Sequence, residues 1–198
     1  MAITTEAPAV PKTYELTYDA YMAEPQVEGR YDIVNGVRIF MPGAGRRHQR
    51  IADSIARLLW AFEHRTGLGI SVSAPYDVLI RRSPRMQTRQ PDVLFVSHAR
   101  LTQSGSDSEE GPLEVAPELV VEVISSSETQ RILSDKISDY ISIGVNECWV
   151  VRPDDETVEV LTLASSGANR AAIYSQGERV QSVIFAGLTV SLADIFAP

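Results

Sequence analysis

Apolar and polar positions along this chain switch between the two periods that build sheets and helices. Residues 31–34 and 37–40 are short runs joined by Asn35-Gly36, a pair that supplies the positive φ angles of a tight two-residue turn, and they predict a hairpin. Beyond the break at Pro42-Gly43-Ala44-Gly45, the residues Ile51, Ile55, Leu58, Leu59 and Phe62 recur at helical spacing and predict an amphipathic helix ending before Gly67. Residues 76–80 and 92–96 predict strands, with a basic loop over 83–90 between them and a polar, acidic loop over 101–112 after them. The run Leu119-Val120-Val121-Glu122-Val123-Ile124 predicts a strand covered on both faces. Ile132, Leu133, Ile137, Tyr140 and Ile141 then mark a second helix, with Ser126 or Ser127 as its cap, Glu128 in its first turn and Gly144 just past its end. The remainder predicts β-structure: 147–151 with 157–163, 171–175 with 179–185, and a closing strand or short helix over 188–196. Thr17 is placed to cap a short helix through Met22, and residues 1–13 form a loose arm ahead of one domain over 14–198.

Composition narrows the class. The 198 residues are 44% hydrophobic and 22% charged, the balance of a globular chain with a substantial core. No apolar run approaches the roughly 20 residues that cross a bilayer, and the first residues lack the pattern of a signal peptide, so a cytoplasmic protein with no membrane partner is expected. The single cysteine, Cys148, lies in an apolar run and reads as a buried structural thiol; with three separated histidines, it argues against a structural zinc site. A net charge of -8 disfavours a protein that coats nucleic acid non-specifically, yet Arg46, Arg47 and Arg50 cluster around His48, and the acids lie mostly elsewhere. Such a cluster is either a solvated surface or a phosphate-binding one.

The chemistry centres on Glu122. An isolated ionised carboxylate inside a buried strand costs several kcal/mol unless a cation or hydrogen-bond donors meet it. Asp92 stands at the start of the preceding strand, fixed there by Pro91, and Lys136 falls beside the apolar stripe of the following helix. Sequential strands are usually neighbours and a following helix packs back on the sheet, so these three side chains are expected in one cleft. Two carboxylates and several waters make a site for Mg²⁺ (or Mn²⁺), and an adjacent ammonium can orient the attacking water and offset charge on a phosphoryl oxygen. His48, in the first turn of its helix and three residues before Ile51, points to the mouth of the packed side. Structural roles compete with each of these: a salt bridge from Glu122 to Arg89, a loop end for Asp92, a snorkelling Lys136, a backbone-bonded His48 and a plain hairpin residue at Asp32.

The segments Arg30-Tyr31-Asp32-Ile33-Val34-Asn35-Gly36, Met41-Pro42, His48, Pro91-Asp92-Val93, Val121-Glu122-Val123-Ile124-Ser125, Lys136 with Tyr140, and Gly144-Val145-Asn146-Glu147-Cys148-Trp149-Val150-Val151 occur in an order that resembles the Uma family of putative restriction endonucleases, within the PD-(D/E)XK nuclease superfamily. The resemblance spans about Tyr14 to Phe196. It implies an α/β (α+β) restriction-endonuclease-like fold, a central mixed sheet flanked by helices with extra β-hairpins. It further implies an Mg²⁺-dependent endonuclease acting on DNA, with Asp92, Glu122 and the Val123 carbonyl as metal ligands. The superfamily lysine two residues after the glutamate is Ile124 here, so its role is expected of Lys136, with His48 assisting. Asp32 replaces a family glutamate and is an additional acid. Arg46, Arg47 and Arg50 are expected to contact the nucleic acid, and a second copy of the chain is a candidate partner through the C-terminal strands. The rival expectation is a non-catalytic nucleic-acid or protein-binding module that keeps the fold, supported by the acidic balance and by Ile124. An RNA substrate would make the same demands on the metal.

Overall fold

The structure is a computed structural model that describes residues 15–25, 27–103, 111–125 and 128–197. The arm expected over 1–13 and the caps expected at Ser126 or Ser127 lie outside those residues, as does most of the acidic loop. Thr17 caps α1 (Tyr18–Ala23), its hydroxyl accepting the Ala20 N–H at 3.2 Å. The hairpin follows as β1 (Tyr31–Val34) and β2 (Val37–Phe40), turning through Asn35 and Gly36 at φ 51° and 80°. Next come α2 (Arg46–Thr66), β3 (Gly69–Ser73), β4 (Val78–Arg81), β5 (Gln87–Arg89), β6 (Val93–Ser97) and α3 (His98–Gln103). Then β7 (Leu119–Val123), α4 (Gln130–Ile143), β8 (Glu147–Arg152), β9 (Thr157–Ala164), β10 (Gly167–Tyr174), β11 (Arg179–Gln181), β12 (Thr189–Ser191) and α5 (Leu192–Ile195) complete the chain.

A six-stranded mixed sheet, ordered β10-β9-β8-β7-β6-β3, forms the centre, with β7 and β8 parallel and the other neighbours antiparallel. The parallel pair follows from α4, which carries the chain back across the sheet between them. On one face, Ile51, Ile55, Leu59 and Phe62 of α2 and Ile195 of α5 bury against Val93, Phe95, Val121, Val123 and Trp149. On the other, Leu133 and Tyr140 of α4 bury against Leu94, Val120, Cys148 and Val150. Strand alternation therefore sends Glu122, in phase with Val120, towards α4. A four-stranded antiparallel sheet, ordered β2-β1-β5-β4, lies beside this layer, and β11 pairs with β12.

The loop expected over 83–90 contains β5, whose Gln87, Thr88 and Arg89 are all buried. They are buried by bonding rather than by hydrophobicity: Thr88 donates to Asp77 at 2.8 Å, and Gln87 and Arg89 both donate to Asp139 at 2.7 Å. β3 escaped the periodic reading because it is polar and short. Its Gly69 is there for close approach, since a Cβ would sit 2.1 Å from the Val96 carbonyl oxygen. The start of the expected acidic loop is helical, as α3. The helix carrying Lys136 is capped by Thr129, which accepts from Ile132 N–H, so Glu128 precedes the helix instead of lying in its first turn. β10 pairs with β9 and β11 with β12, where 171–175 and 179–185 were expected as partners.

Candidate active site

Three elements converge on one cleft of about 610 Å³: the β1-β2 hairpin, the start of α2 and the start of α4. Its lining includes Arg30, Asp32, His48, Asp92, Val123, Glu128 and Lys136. Glu122 is fully buried behind it, at 0% exposure. Val93 pairs with Val121 across β6 and β7, so Asp92 and Glu122, one step further along each strand, are placed side by side.

Both oxygens of Glu122 are held. Lys136 Nζ donates to Oε2 at 2.7 Å and the Tyr140 hydroxyl donates to Oε1 at 2.5 Å. These donors lie one helical turn apart on α4, which is why both reach the same carboxylate. Lys136 is 4% exposed, so it does not snorkel; it is shared with Glu128, whose Oε1 lies 3.1 Å away. Burial pushes the Glu122 pKa up, opposed by the lysine charge and raised further by Asp92. Burial would discharge Lys136, but Glu122 and Glu128 outweigh it and hold the ammonium charged. The expected rival partner, Arg89, is committed elsewhere, to Asp32 and Asp139 at 2.7 Å each.

Asp92 faces the other side of the cleft. The Val123 N–H donates to its Oδ2 at 2.6 Å, while Arg30 Nη1 lies 2.5 Å and His48 Nε2 3.5 Å from Oδ1. Burial raises the Asp92 pKa, yet hydrogen bonding and charge from His48 and the charge of Arg30 bring it below the ordinary carboxylate value. The same pairing raises His48 against the effect of its burial, with a backbone hydrogen bond at Val123 adding to the rise. Asp32 also lines the cleft, with both oxygens bonded: Arg89 donates to its Oδ2 and the Gln90 N–H to its Oδ1 at 3.1 Å. Arg46, Arg47 and Arg50 are exposed and lie outside the cleft lining, with Arg47 paired to Glu156 at 2.9 Å. Ile124 packs in the apolar cluster around Leu133 and Tyr140, so the usual lysine position points into the core.

Buried polar atoms normally find partners. Among the described residues, five buried side-chain atoms lack a hydrogen bond, and four of them line this cleft: Arg30 Nε, His48 Nδ1, Asp92 Oδ1 and Glu128 Oε1. Arg30 Nε is a donor, the two carboxylate oxygens are acceptors that stand in ion pairs with Arg30 and Lys136, and His48 Nδ1 takes either role with its protonation. No group of three or more His, Cys, Asp or Glu side chains is arranged to hold a metal among the described residues. The unbonded carboxylate oxygens nevertheless fit a hard divalent cation, which takes oxygen ligands and keeps several waters. Each oxygen of Glu122 accepts one hydrogen bond and keeps a second lone pair with which it could join them. Sequence reasoning missed Arg30 and Glu128 as cleft residues, because neither lies on a periodic stripe; Tyr140 was visible as a core position and beside Lys136 in the family pattern, without a role.

No curated protein matches the chain. Among solved structures, one similar chain is a putative nuclease belonging to DUF820 from Anabaena variabilis, with a TM-score of 0.72, 18% identity, and 91% of this chain and 97% of that chain covered. At that identity the likeness shows the fold. A family model described as putative restriction endonuclease, Uma2, matches residues 17–193. The order of the hairpin, Asp92, Glu122 and the strand after Gly144 thus has its explanation: this chain belongs to the Uma2 family of putative restriction endonucleases.

Proposed function

We propose that the protein is an endonuclease that hydrolyses DNA phosphodiester bonds with Mg²⁺ or Mn²⁺ held by Asp92, Glu122 and the Val123 carbonyl. The observation that carries the reading is the charged, mixed lining of one cleft: Asp92 Oδ1 and Glu128 Oε1 stand in ion pairs without a hydrogen bond, and Arg30 Nε and His48 Nδ1 have no hydrogen bond. A cation and an anionic phosphate bound together would satisfy both kinds of group. A divalent ion in such a place lowers the pKa of a water molecule and offsets charge on phosphoryl oxygens.

The chain's own groups divide the remaining work. Lys136 keeps its charge beside Glu122, so it can orient the attacking water through a hydrogen bond and stabilise charge growing on the phosphate. Tyr140 holds the second oxygen of Glu122 and fixes the rotamer of that carboxylate. His48 faces Asp92 on the side of the cleft opposite Lys136, its pKa raised by that pairing, and when protonated it can give a proton to a phosphate or leaving oxygen. Arg30 offers Nε to a phosphate oxygen. Arg46, Arg47 and Arg50 draw the backbone of the nucleic acid towards the mouth.

A second reading, a binding module without catalysis, is favoured by one observation: both oxygens of Glu122 already have donors. Plasmid cleavage with Mg²⁺ or Mn²⁺, comparing the wild type with Asp92→Ala and Glu122→Ala, tests the proposal. Activity is expected only in the wild type, and equal activity in all three rejects the assignment. Calorimetry that finds neither ion bound favours the module.

A further inference from the structure

The cleft has an ionic floor and an apolar mouth. Ile39 stands opposite Asp32 in the β1-β2 register, so its side chain shares the cleft face of the hairpin. Ile132 precedes Lys136 by one turn of α4 and lines the cleft from the helix side. Phe40, Met41 and Pro42 continue the rim. Ile39, Phe40 and Ile132 are 51%, 58% and 43% exposed, an unusual concentration of large apolar side chains around buried charges. At the floor, Arg30 Nε is a donor without a hydrogen bond.

These two levels match the two halves of a nucleotide, an anionic phosphate and a flat base with apolar faces. In a regular duplex each base face is covered by its neighbours in the stack, so a paired nucleotide offers its phosphate and withholds its base. The volume of about 610 Å³ is also that of a site for one small ligand, within the roughly 300–1,000 Å³ usual for such clefts. We infer that the cleft takes an unpaired nucleotide, from a single strand or a locally melted duplex, with its phosphate on Arg30 and its base against Ile39 and Ile132, beside Phe40 at the rim. Apolar platforms next to a phosphate-binding cation are a recurrent way of holding single strands. The inference rests on the nuclease reading for the identity of the anion.

Fluorescence anisotropy of labelled DNA in EDTA, at low salt and with the full chain, tests it on a single strand, the matched blunt duplex and a duplex with a central run of mismatches. The single strand and the mismatched duplex are expected to bind at least about tenfold tighter than the matched duplex. The double variant Ile39→Ser/Ile132→Ser, at two exposed positions of the cleft mouth, is expected to lose most of that preference with an unchanged melting temperature. No measurable binding of the single strand, equal affinity for the matched duplex, or an unaltered preference in the variant overturns the inference. Cleavage with Mn²⁺ run in parallel keeps the two readings apart. Preferential binding without cleavage overturns the nuclease and supports the unpaired occupant, whereas equal cutting of matched duplex and single strand overturns the occupant and supports the nuclease.

Discussion

Lys136 and Glu122, 14 positions apart, meet at 2.7 Å between α4 and the strand before it. The pair is buried on both sides, at 4% and 0% exposure, so each charge depends chiefly on the other for compensation. Lys136→Met leaves Glu122 and Glu128 without their cation and is expected to cost about 3–5 kcal/mol in urea denaturation. The double variant Glu122→Gln/Lys136→Met should recover part of that loss, because it removes the orphaned charge as well. A loss below about 1 kcal/mol for the single variant would show that the pair is not structurally coupled.

His48 supplies a pH-dependent contribution. Its folded pKa is raised above the ordinary value of 6.5 by hydrogen bonding to Asp92. The stabilisation is therefore complete below the unfolded pKa and is lost as pH rises through the folded one. In metal-free buffer, the stability difference between wild type and His48→Gln should shrink as pH increases above about 6.5. Asp92 acts in the opposite window: its depressed pKa gives stability that is present at neutral pH and lost in acid. A His48→Gln difference that does not vary with pH would contradict the pairing.

Arg30 occupies the charge position beside Asp92 that a cation would take, with Nη1 at 2.5 Å. Arg30→Gln is expected to bind Mn²⁺ about tenfold more tightly in the absence of nucleic acid and to bind oligonucleotide about tenfold more weakly. Calorimetry and anisotropy read the two effects separately. Equal Mn²⁺ affinity in the two proteins would show that the guanidinium does not compete.

Asp32 clasps Arg89, which also holds Asp139 on α4 and so ties the small sheet to the main layer. Asp32→Asn should lower stability by about 2–3 kcal/mol while leaving Mn²⁺ affinity within about twofold. A large loss of metal binding with normal stability would instead make Asp32 a ligand.

Much of this molecule was legible where burial follows hydrophobicity. Asn35-Gly36 announced the hairpin, the Ile51–Phe62 stripe announced α2, and a glutamate in an otherwise apolar strand announced a buried, paired charge. Lys136 was legible too, because its spacing from Leu133 and Tyr140 set it beside the buried stripe. What stayed hidden is buried by pairing. Gln87, Thr88 and Arg89 look like loop residues until Asp77, Asp32 and Asp139 arrive from distant segments. The same holds for Arg30, whose partner Asp92 lies on another sheet, and for Glu128, which only the return of α4 brings to Lys136. Hydropathy reports on water; it carries no record of which ion will stand opposite.

The four atoms of the cleft without a hydrogen bond bear on how this protein responds to selection. Each belongs to a residue that is also ion-paired, Arg30 and His48 with Asp92 and Glu128 with Lys136, so neutralising one member strands the charge of its partner. A library screened only for heat resistance should therefore leave Arg30, His48, Asp92 and Glu128 unchanged or replace them as pairs, and gain its stability in the rest of the chain.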